Sequence, residues 1–189
     1  HIVDMACFLN ACGAKISGAG TSMIRIKGVE KLHGCTYELA PDMIEAGTYM
    51  VAAAATGGRI CVRNVVPKHM ESISAKLREV GIPLEITENS ITVSGAPSFR
   101  GTEIRTNPYP GFPTDMQPQM MVLLSMIPGT SMVNESIWDN RFRYVEQLKR
   151  LGANIDVDAL EHFLPEEKAE TADCDAVAAE VARDLACST

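Results

Sequence analysis

The chain contains an internal repeat with a spacing of about 70 residues. One repeated motif is a helical stretch that ends in Leu-x-x-x-Gly and leads into an alternating strand, and it occurs at 8–16, 76–86 and 147–157. Its glycines stand where a helix C-terminus needs a left-handed residue, a conformation that glycine adopts without a Cβ clash. They are Gly13, Gly81 and Gly152. The repeat therefore predicts several units of one architecture.

A second motif consists of a strand, a Gly-x5-Gly segment and another strand, at 23–39 and 90–106. Its glycines are Gly28 and Gly34 in the first copy and Gly95 and Gly101 in the second. Apolar and polar residues alternate in both copies, which predicts half-buried strands. The alternating apolar residues are Ile24, Ile26, Ile91 and Val93.

A third motif is a strongly apolar helix followed by a glycine turn and a strand, at 43–65 and 115–136. We expect Gly58 and Gly129 to form the turns. Both helices begin with a capping-box pattern, in which an N-cap side chain accepts a hydrogen bond from a backbone N–H of the first turn. The patterns are Asp42-x-x-Glu45 and Thr114-x-x-Gln117.

Together these motifs give each unit one amphipathic helix, one apolar helix and four short strands, as in an α/β (α+β) chain. A helix that is apolar all round has to be buried on every side. The pattern therefore favours an inside-out arrangement, in which units pack around a common axis with the apolar helices at the centre and the sheets outside. An ordinary layer of helices on a sheet is the alternative that the pattern leaves open.

The net charge of −7 lies entirely in residues 158–189, and residues 1–157 carry equal numbers of acidic and basic side chains. The balanced part offers no basic field for a nucleic acid. The longest apolar run, 49–55, is far shorter than the roughly 20 residues that span a bilayer, so we expect no membrane partner. The six cysteines form no Cys-x-x-Cys pair. We therefore expect a reduced cytoplasmic protein without a metal or a signal peptide.

Four stretches of the sequence are distinctive: IVDMACFLNACGAKISGAGTSMIRIKGVEKLHG, PDMIEAGTYMVAAAATGG, NPYPGFPTDMQPQ and ESIWDNRFRYVEQLKRLGANI. Through them, residues 1–157 closely resemble the middle of the enolpyruvyl transferases that act on UDP-N-acetylglucosamine, a branch of the EPSP synthase family. The combination of FPTDMQ with a later Asn-Arg-Phe block is specific to that branch. The related enzymes that act on shikimate 3-phosphate lack the PDMIEAGTY pattern.

The resemblance implies the inside-out fold of that family, in which two lobes each contain three βαβαββ units around central apolar helices. It places residues 1–41 at the close of one lobe and residues 42–157 in part of the other. Residues 158–189 have no counterpart in the resemblance. This acidic tail breaks the repeat and contains no glycine, and we expect at most a short solvated helix near 175–186.

The implied reaction moves the enolpyruvyl group of phosphoenolpyruvate to the 3-hydroxyl of UDP-N-acetylglucosamine, without a cofactor, as the first committed step of peptidoglycan synthesis. The implied partners are therefore these two small molecules. The family's Lys and Asn for phosphoenolpyruvate, its Gly-rich Cys loop and its terminal arginines have no match in residues 1–157. We therefore expect this chain alone to be inactive. A non-catalytic sugar-nucleotide-binding or scaffold protein is the alternative.

The resemblance also assigns roles to four residues on one wall of the sugar-nucleotide pocket. Asp115, in FPTDMQ, matches the residue that contacts the sugar hydroxyl and is proposed as its base, and a carboxylate ionised at neutral pH can accept that proton. A plain helix-start acid is the alternative. Ile137 matches a position whose backbone holds the nucleotide, and Trp138 matches an aromatic beside it, with a strand edge as the alternative for both. Arg141 either orients the Asp115 region or pairs with an acid.

Overall fold

Helices and short strands alternate along the chain as the repeat predicts, and the computed structural model describes residues 1–96 and 98–157. The helices are α1 (Ile2–Ala11), α2 (Met43–Ala55), α3 (Glu71–Val80), α4 (Gln117–Met126) and α5 (Val145–Arg150). The strands are β1 (Lys15–Ser17), β2 (Arg25–Lys27), β3 (Arg59–Arg63), β4 (Leu84–Ile86), β5 (Ser90–Ser94), β6 (Glu103–Arg105) and β7 (Met132–Asn134). The acidic tail and its predicted helix lie outside the described residues.

The repeat glycines end their helices in the left-handed conformation. Gly13, Gly81 and Gly152 have φ values of 99°, 107° and 96° after α1, α3 and α5, which confirms the prediction. After α2 the left-handed residue is Gly57 rather than Gly58, with φ of 66°. Thr56 continues the α2 geometry as its C-cap, so the chain reverses at the next residue.

The two predicted capping boxes differ in outcome. Asp42 caps α2, because its Oδ1 accepts a hydrogen bond of 2.8 Å from the backbone N–H of Ile44. The prediction for Thr114 is wrong. Thr114 begins a 3-10 turn, Thr114–Met116, that precedes α4, and its hydroxyl donates to Glu135 over 2.8 Å instead. The Thr114 side chain therefore bonds to a residue distant in sequence instead of capping its own helix.

The cap on α2 allows a direct stability test. We expect Asp42→Ala to lower the free energy of unfolding by about 1 kcal/mol, because it leaves the N–H of Ile44 without its acceptor, whereas Asp42→Asn should change it by only a few tenths. Urea titration of the 189-residue chain would measure both. Equal losses for the two variants would contradict the capping role.

The β3, β4 and β5 strands form an antiparallel sheet in the order β3-β5-β4. Ile91 and Val93 of the central strand are fully buried, so the predicted alternation is confirmed in this copy of the motif. Strands β6 and β7 pair in parallel, with Ile104 opposite Val133. Parallel strands need a crossover, and here α4 is the helix between them.

The two apolar helices α2 and α4 pack against each other in one hydrophobic core. Gly47 of α2 permits the approach, because a Cβ at this position would lie 2.8 Å from the Cε of Met116. Gln119 of α4 donates its amide to the hydroxyl of Thr48 over 3.0 Å. Met50, Met116 and Met120 are fully buried around this contact. The facing sides of α2 and α4 are therefore buried, whereas Tyr49 of α2 and Val122 of α4 are exposed, so burial on every side is not found.

Residues 1–41 are more exposed than the core around α2 and α4. Ile26 is 71% exposed and Ile24 is also exposed, so the half-buried prediction is wrong for the first copy of the second motif. The reason is that β1 and β2 form only a two-stranded sheet. Among the described residues, nothing lies within 4 Å of a Cβ built on Gly28 or Gly34. In the second copy the equivalent Gly95 fits closely against Gly57.

The four cysteines among the described residues differ in burial. Cys12 is buried, whereas Cys7, Cys35 and Cys61 are exposed. Of these four, only Cys12, the C-cap residue of α1, is buried as a core residue. No role in the site described below falls on any of the four.

Candidate functional site

Asp115 stands on the 3-10 turn that leads into α4, and 61% of its side chain is exposed. Its Oδ1 accepts a hydrogen bond of 2.6 Å from Nη2 of Arg141. Met116, the next residue, is fully buried and anchors the turn in the core. The fold thus holds the Asp115 carboxylate at the surface, with one oxygen engaged by Arg141.

Arg141 belongs to the turn that follows β7, next to Asn140, which has a left-handed φ of 55°. The sequence left two roles open for Arg141, orientation of the Asp115 region or pairing with an acid. The structure unites them, because the acid with which it pairs is Asp115 itself. The FPTDMQ and Asn-Arg-Phe blocks, 26 residues apart at this bond, therefore meet in one place.

Ile137 and Trp138 lie beyond the end of β7, which stops at Asn134. The strand-edge alternative is therefore wrong for both. Their backbone N–H groups donate to Oε1 of Glu135 over 2.9 and 3.3 Å. The N–H of Ile137 is consequently occupied, and its carbonyl is the backbone group left to contact a ligand. The Trp138 side chain is 62% exposed and presents an open aromatic face.

Glu135 is the residue that the sequence analysis missed. Its Oε1 accepts hydrogen bonds from Ile137, Trp138 and the hydroxyl of Thr106, and its Oε2 accepts one from Thr114. Burial disfavours the charged form of this side chain, but the hydrogen bonds from Thr106, Thr114 and the two backbone N–H groups outweigh burial and lower its pKa. The sequence feature that could have pointed to Glu135 is an acidic residue directly after the strand β7.

A second contact fixes the same turn to α4. The hydroxyl of Tyr144 donates to Oε1 of Gln117 over 2.7 Å, and Gln117 is fully buried. Burial of the Tyr144 hydroxyl, together with the negative charge of Glu135, raises the pKa of Tyr144 well above its usual range. Tyr144 is therefore a neutral donor at physiological pH, and the segment 135–144 is held at both ends.

These residues form an open wall rather than an enclosed cavity. A pocket of about 300 Å³ lies elsewhere, beside the start of α2, and contains none of the predicted site residues; Pro41, Asp42, Tyr49 and Arg63 are among those that line it. Within 1–96 and 98–157, no three His, Cys, Asp or Glu side chains cluster as metal ligands would. No helix in the described part of the chain has the length and apolar character needed to cross a bilayer.

One parallel βαβ crossover, paired apolar helices and an acid just before one of them are the features that the described residues share with enolpyruvyl transferases. A family model described as EPSP synthase (3-phosphoshikimate 1-carboxyvinyltransferase) matches residues 1–182, and the chain belongs to this family. The match extends beyond residue 157, into the acidic tail.

Curated relatives are about half identical to the chain over the residues that align. A UDP-N-acetylglucosamine 1-carboxyvinyltransferase of Clostridium botulinum is 55% identical over 158 residues, which are 84% of this chain and 38% of the relative. A protein of the same name from Desulfofundulus thermocisternus is 52% identical over 156 residues, 82% of this chain and 64% of the relative. The chain thus spans 38% of the length of the first of these relatives.

A solved structure shows the same fold. The enolpyruvyl transferase NikO from Streptomyces tendae superimposes with a TM-score of 0.70 and 26% sequence identity, over 82% of this chain and 38% of that one. The predicted inside-out α/β fold is therefore confirmed at the level of the family.

Proposed function

We propose that the protein containing this chain transfers the enolpyruvyl group of phosphoenolpyruvate to the 3-hydroxyl of UDP-N-acetylglucosamine, and that the chain supplies one wall of the sugar-nucleotide site. The observation that carries the proposal is the identity of 55% to a relative named for that reaction. The exposed Asp115, held by Arg141, supports it. Residues 1–41 and 42–157 would then belong to different lobes.

In this proposal Asp115 removes the proton from the sugar hydroxyl as that oxygen adds to the phosphate-bearing carbon of phosphoenolpyruvate, whose CH₂ carbon takes up a proton. Phosphate then leaves from the tetrahedral adduct, and loss of a proton from the methyl group restores the double bond. Arg141 engages Oδ1, which leaves Oδ2 for the hydroxyl. The ion pair fixes the carboxylate direction, and a base has to lie within hydrogen-bond reach of the proton that it accepts. Arg141 acts here as a positioning residue.

The nucleotide would lie along the turn after β7. The carbonyl of Ile137, to which no group in 1–96 or 98–157 donates, can accept a hydrogen bond from a nucleotide N–H, and the exposed Trp138 offers a flat apolar face for a ring of the ligand. Groups that hold phosphoenolpyruvate would come from parts of the enzyme outside residues 1–157. The cytoplasmic location and the roles in peptidoglycan synthesis, cell shape and cell division depend on this reaction and stay predictions.

A hybrid enzyme tests the reaction. Residues 1–157 would replace the matching segment of the full-length Clostridium botulinum relative, and phosphate release from phosphoenolpyruvate would be measured with UDP-N-acetylglucosamine. We expect turnover within about tenfold of the parent relative, because the segment supplies the same wall. A folded hybrid without turnover would contradict the proposal.

Trp138 is the only tryptophan of the chain, so its emission reports on the proposed wall. We expect UDP-N-acetylglucosamine to change this emission in the hybrid saturably when phosphoenolpyruvate is absent, with Trp138→Phe as the matched control for signals that arise elsewhere. Saturable binding without phosphate release would favour the alternative of a non-catalytic sugar-nucleotide-binding protein. If the relative's own tryptophans contribute, the difference between the two hybrids isolates the emission of Trp138.

A further inference from the structure

Glu135 connects three segments that are distant in sequence. Thr106 directly follows β6, Thr114 begins the turn that carries Asp115, and Ile137 and Trp138 follow β7. The carboxylate accepts a hydrogen bond from each of these four residues, at 2.7, 2.8, 2.9 and 3.3 Å respectively. Both of its oxygens are therefore engaged inside the protein.

We propose that Glu135 is the positioning residue of the sugar-nucleotide wall, and that its carboxylate sets the distance between the base Asp115 and the backbone at Ile137 and Trp138. The identity of the ligand in this inference rests on the proposed function, whereas the geometry around Glu135 does not. Asp115 follows Thr114 directly, and Ile137 lies two residues after Glu135. The Glu135 side chain thus fixes both groups that are proposed to contact the ligand, Asp115 and the backbone at Ile137 and Trp138.

The chemistry of the four hydrogen bonds calls for a carboxylate. All four partners donate, and an ionised carboxylate is an acceptor at both oxygens. Hydrogen bonds to a charged acceptor are roughly twice as strong as neutral ones. The lowered pKa of Glu135 is consistent with this, because it keeps the side chain ionised at neutral pH.

A second hydrogen bond network makes the wall a unit. The hydroxyl of Thr106 donates to Glu135 and also accepts from the backbone N–H of Ser136 over 2.9 Å. The hydroxyl of Ser136 in turn donates to the carbonyl of Thr106. The end of β6 and the residues after β7 are consequently cross-linked on both sides of Glu135. Removal of the carboxylate would abolish all four of its hydrogen bonds, from Thr106, Thr114, Ile137 and Trp138.

Amide hydrogen exchange on the 189-residue chain tests the geometry without any ligand. We expect Glu135→Ala to speed exchange at Ile137 and Trp138 about tenfold or more, because each amide then lacks its hydrogen bond to a charged group. Glu135→Gln should give a smaller increase, since its amide oxygen can still accept at one position. Glu103→Ala is the matched control, because Glu103 is an exposed acid on the neighbouring β6. It should leave both amides unchanged.

Kinetics of the hybrid enzyme separate positioning from general stability. Glu135→Ala is expected to raise KM for UDP-N-acetylglucosamine and to lower kcat, each about tenfold, with KM for phosphoenolpyruvate unchanged, and Glu135→Gln should recover most of both losses. A merely structural role would lower the amount of folded enzyme and leave both KM values unchanged.

The outcomes are distinct. Unchanged exchange at Ile137 and Trp138 in Glu135→Ala would overturn the inference. If that variant also speeds exchange at the core positions Ile91 and Val93, it has lost its fold, and Glu135→Gln decides: a selective increase at Ile137 and Trp138 supports positioning, and any other pattern refutes it. Faster exchange as predicted, with no turnover even by the hybrid that keeps Glu135, would uphold the geometry and sink the proposed reaction instead.

Discussion

Asp115→Asn in the hybrid enzyme is expected to lower kcat by about 10²- to 10⁴-fold, with a much smaller effect on binding of UDP-N-acetylglucosamine. The amide keeps an oxygen that can accept from Arg141, so the turn should retain its shape. It can also still hydrogen-bond the sugar hydroxyl. It cannot take the proton, and an interaction that is missing only from the transition state lowers kcat itself. The measurement is kcat with both substrates saturating.

The alternative that Asp115 only begins a helix makes the opposite prediction. Asparagine is as good as aspartate at a helix N-terminus, so activity would hardly change. A kcat within about threefold of the parent hybrid would therefore return Asp115 to a structural role. Glu103→Gln is the matched control, because it neutralises an exposed acid in the same unit that makes no side-chain contact to Asp115 or Arg141.

Gly101→Ala is expected to lower the free energy of unfolding by about 3 kcal/mol, at the upper end of the usual cost of overpacking. A Cβ at Gly101 would overlap the carbonyl oxygen of Thr130 in the turn before β7. A backbone atom cannot move aside as a flexible side chain can, so the turn itself has to shift. Urea titration of the 189-residue chain would give the free energy.

The repeat supplies the matched control for this change. Gly34 is the equivalent glycine in the first copy of the motif, and nothing lies within 4 Å of a Cβ built on it. Gly34→Ala is expected to alter the free energy of unfolding by no more than about 0.5 kcal/mol. Similar losses for the two variants would mean that backbone conformation, rather than the close approach of Thr130, is the reason for glycine at position 101.

Features that depend on a few neighbouring residues could be predicted from the sequence. The left-handed glycines at 13, 81 and 152, the Asp42 cap and the buried alternation of β5 all follow from local geometry. Predictions failed where a distant partner decides the outcome. The local pattern predicts that Thr114 caps its own helix, but Glu135, 21 residues further on, accepts its hydroxyl. Ile24 and Ile26 have the pattern of buried residues, but no further strand among the described residues covers them.

The candidate site shows the same limit. Asp115, Ile137, Trp138 and Arg141 were found through resemblance to a family, because their types and spacing alone allow ordinary structural roles. The ion pair between Asp115 and Arg141 could not be read from the sequence. Glu135 was missed for a physical reason: its function depends on two threonines that lie 29 and 21 residues away along the chain.

The parallel pairing of β6 with β7 has a consequence for the order in which the molecule folds. The β4–β5 hairpin closes a short loop, whereas β6 and β7 meet only after the whole of α4 has been placed between them. The entropy lost on closing a loop rises with its length, and distant contacts form late. The wall around Glu135 is therefore expected to be assembled after the hairpin, on a core that already exists. The chemistry proposed for this protein would then depend on the last part of the chain to reach its native structure.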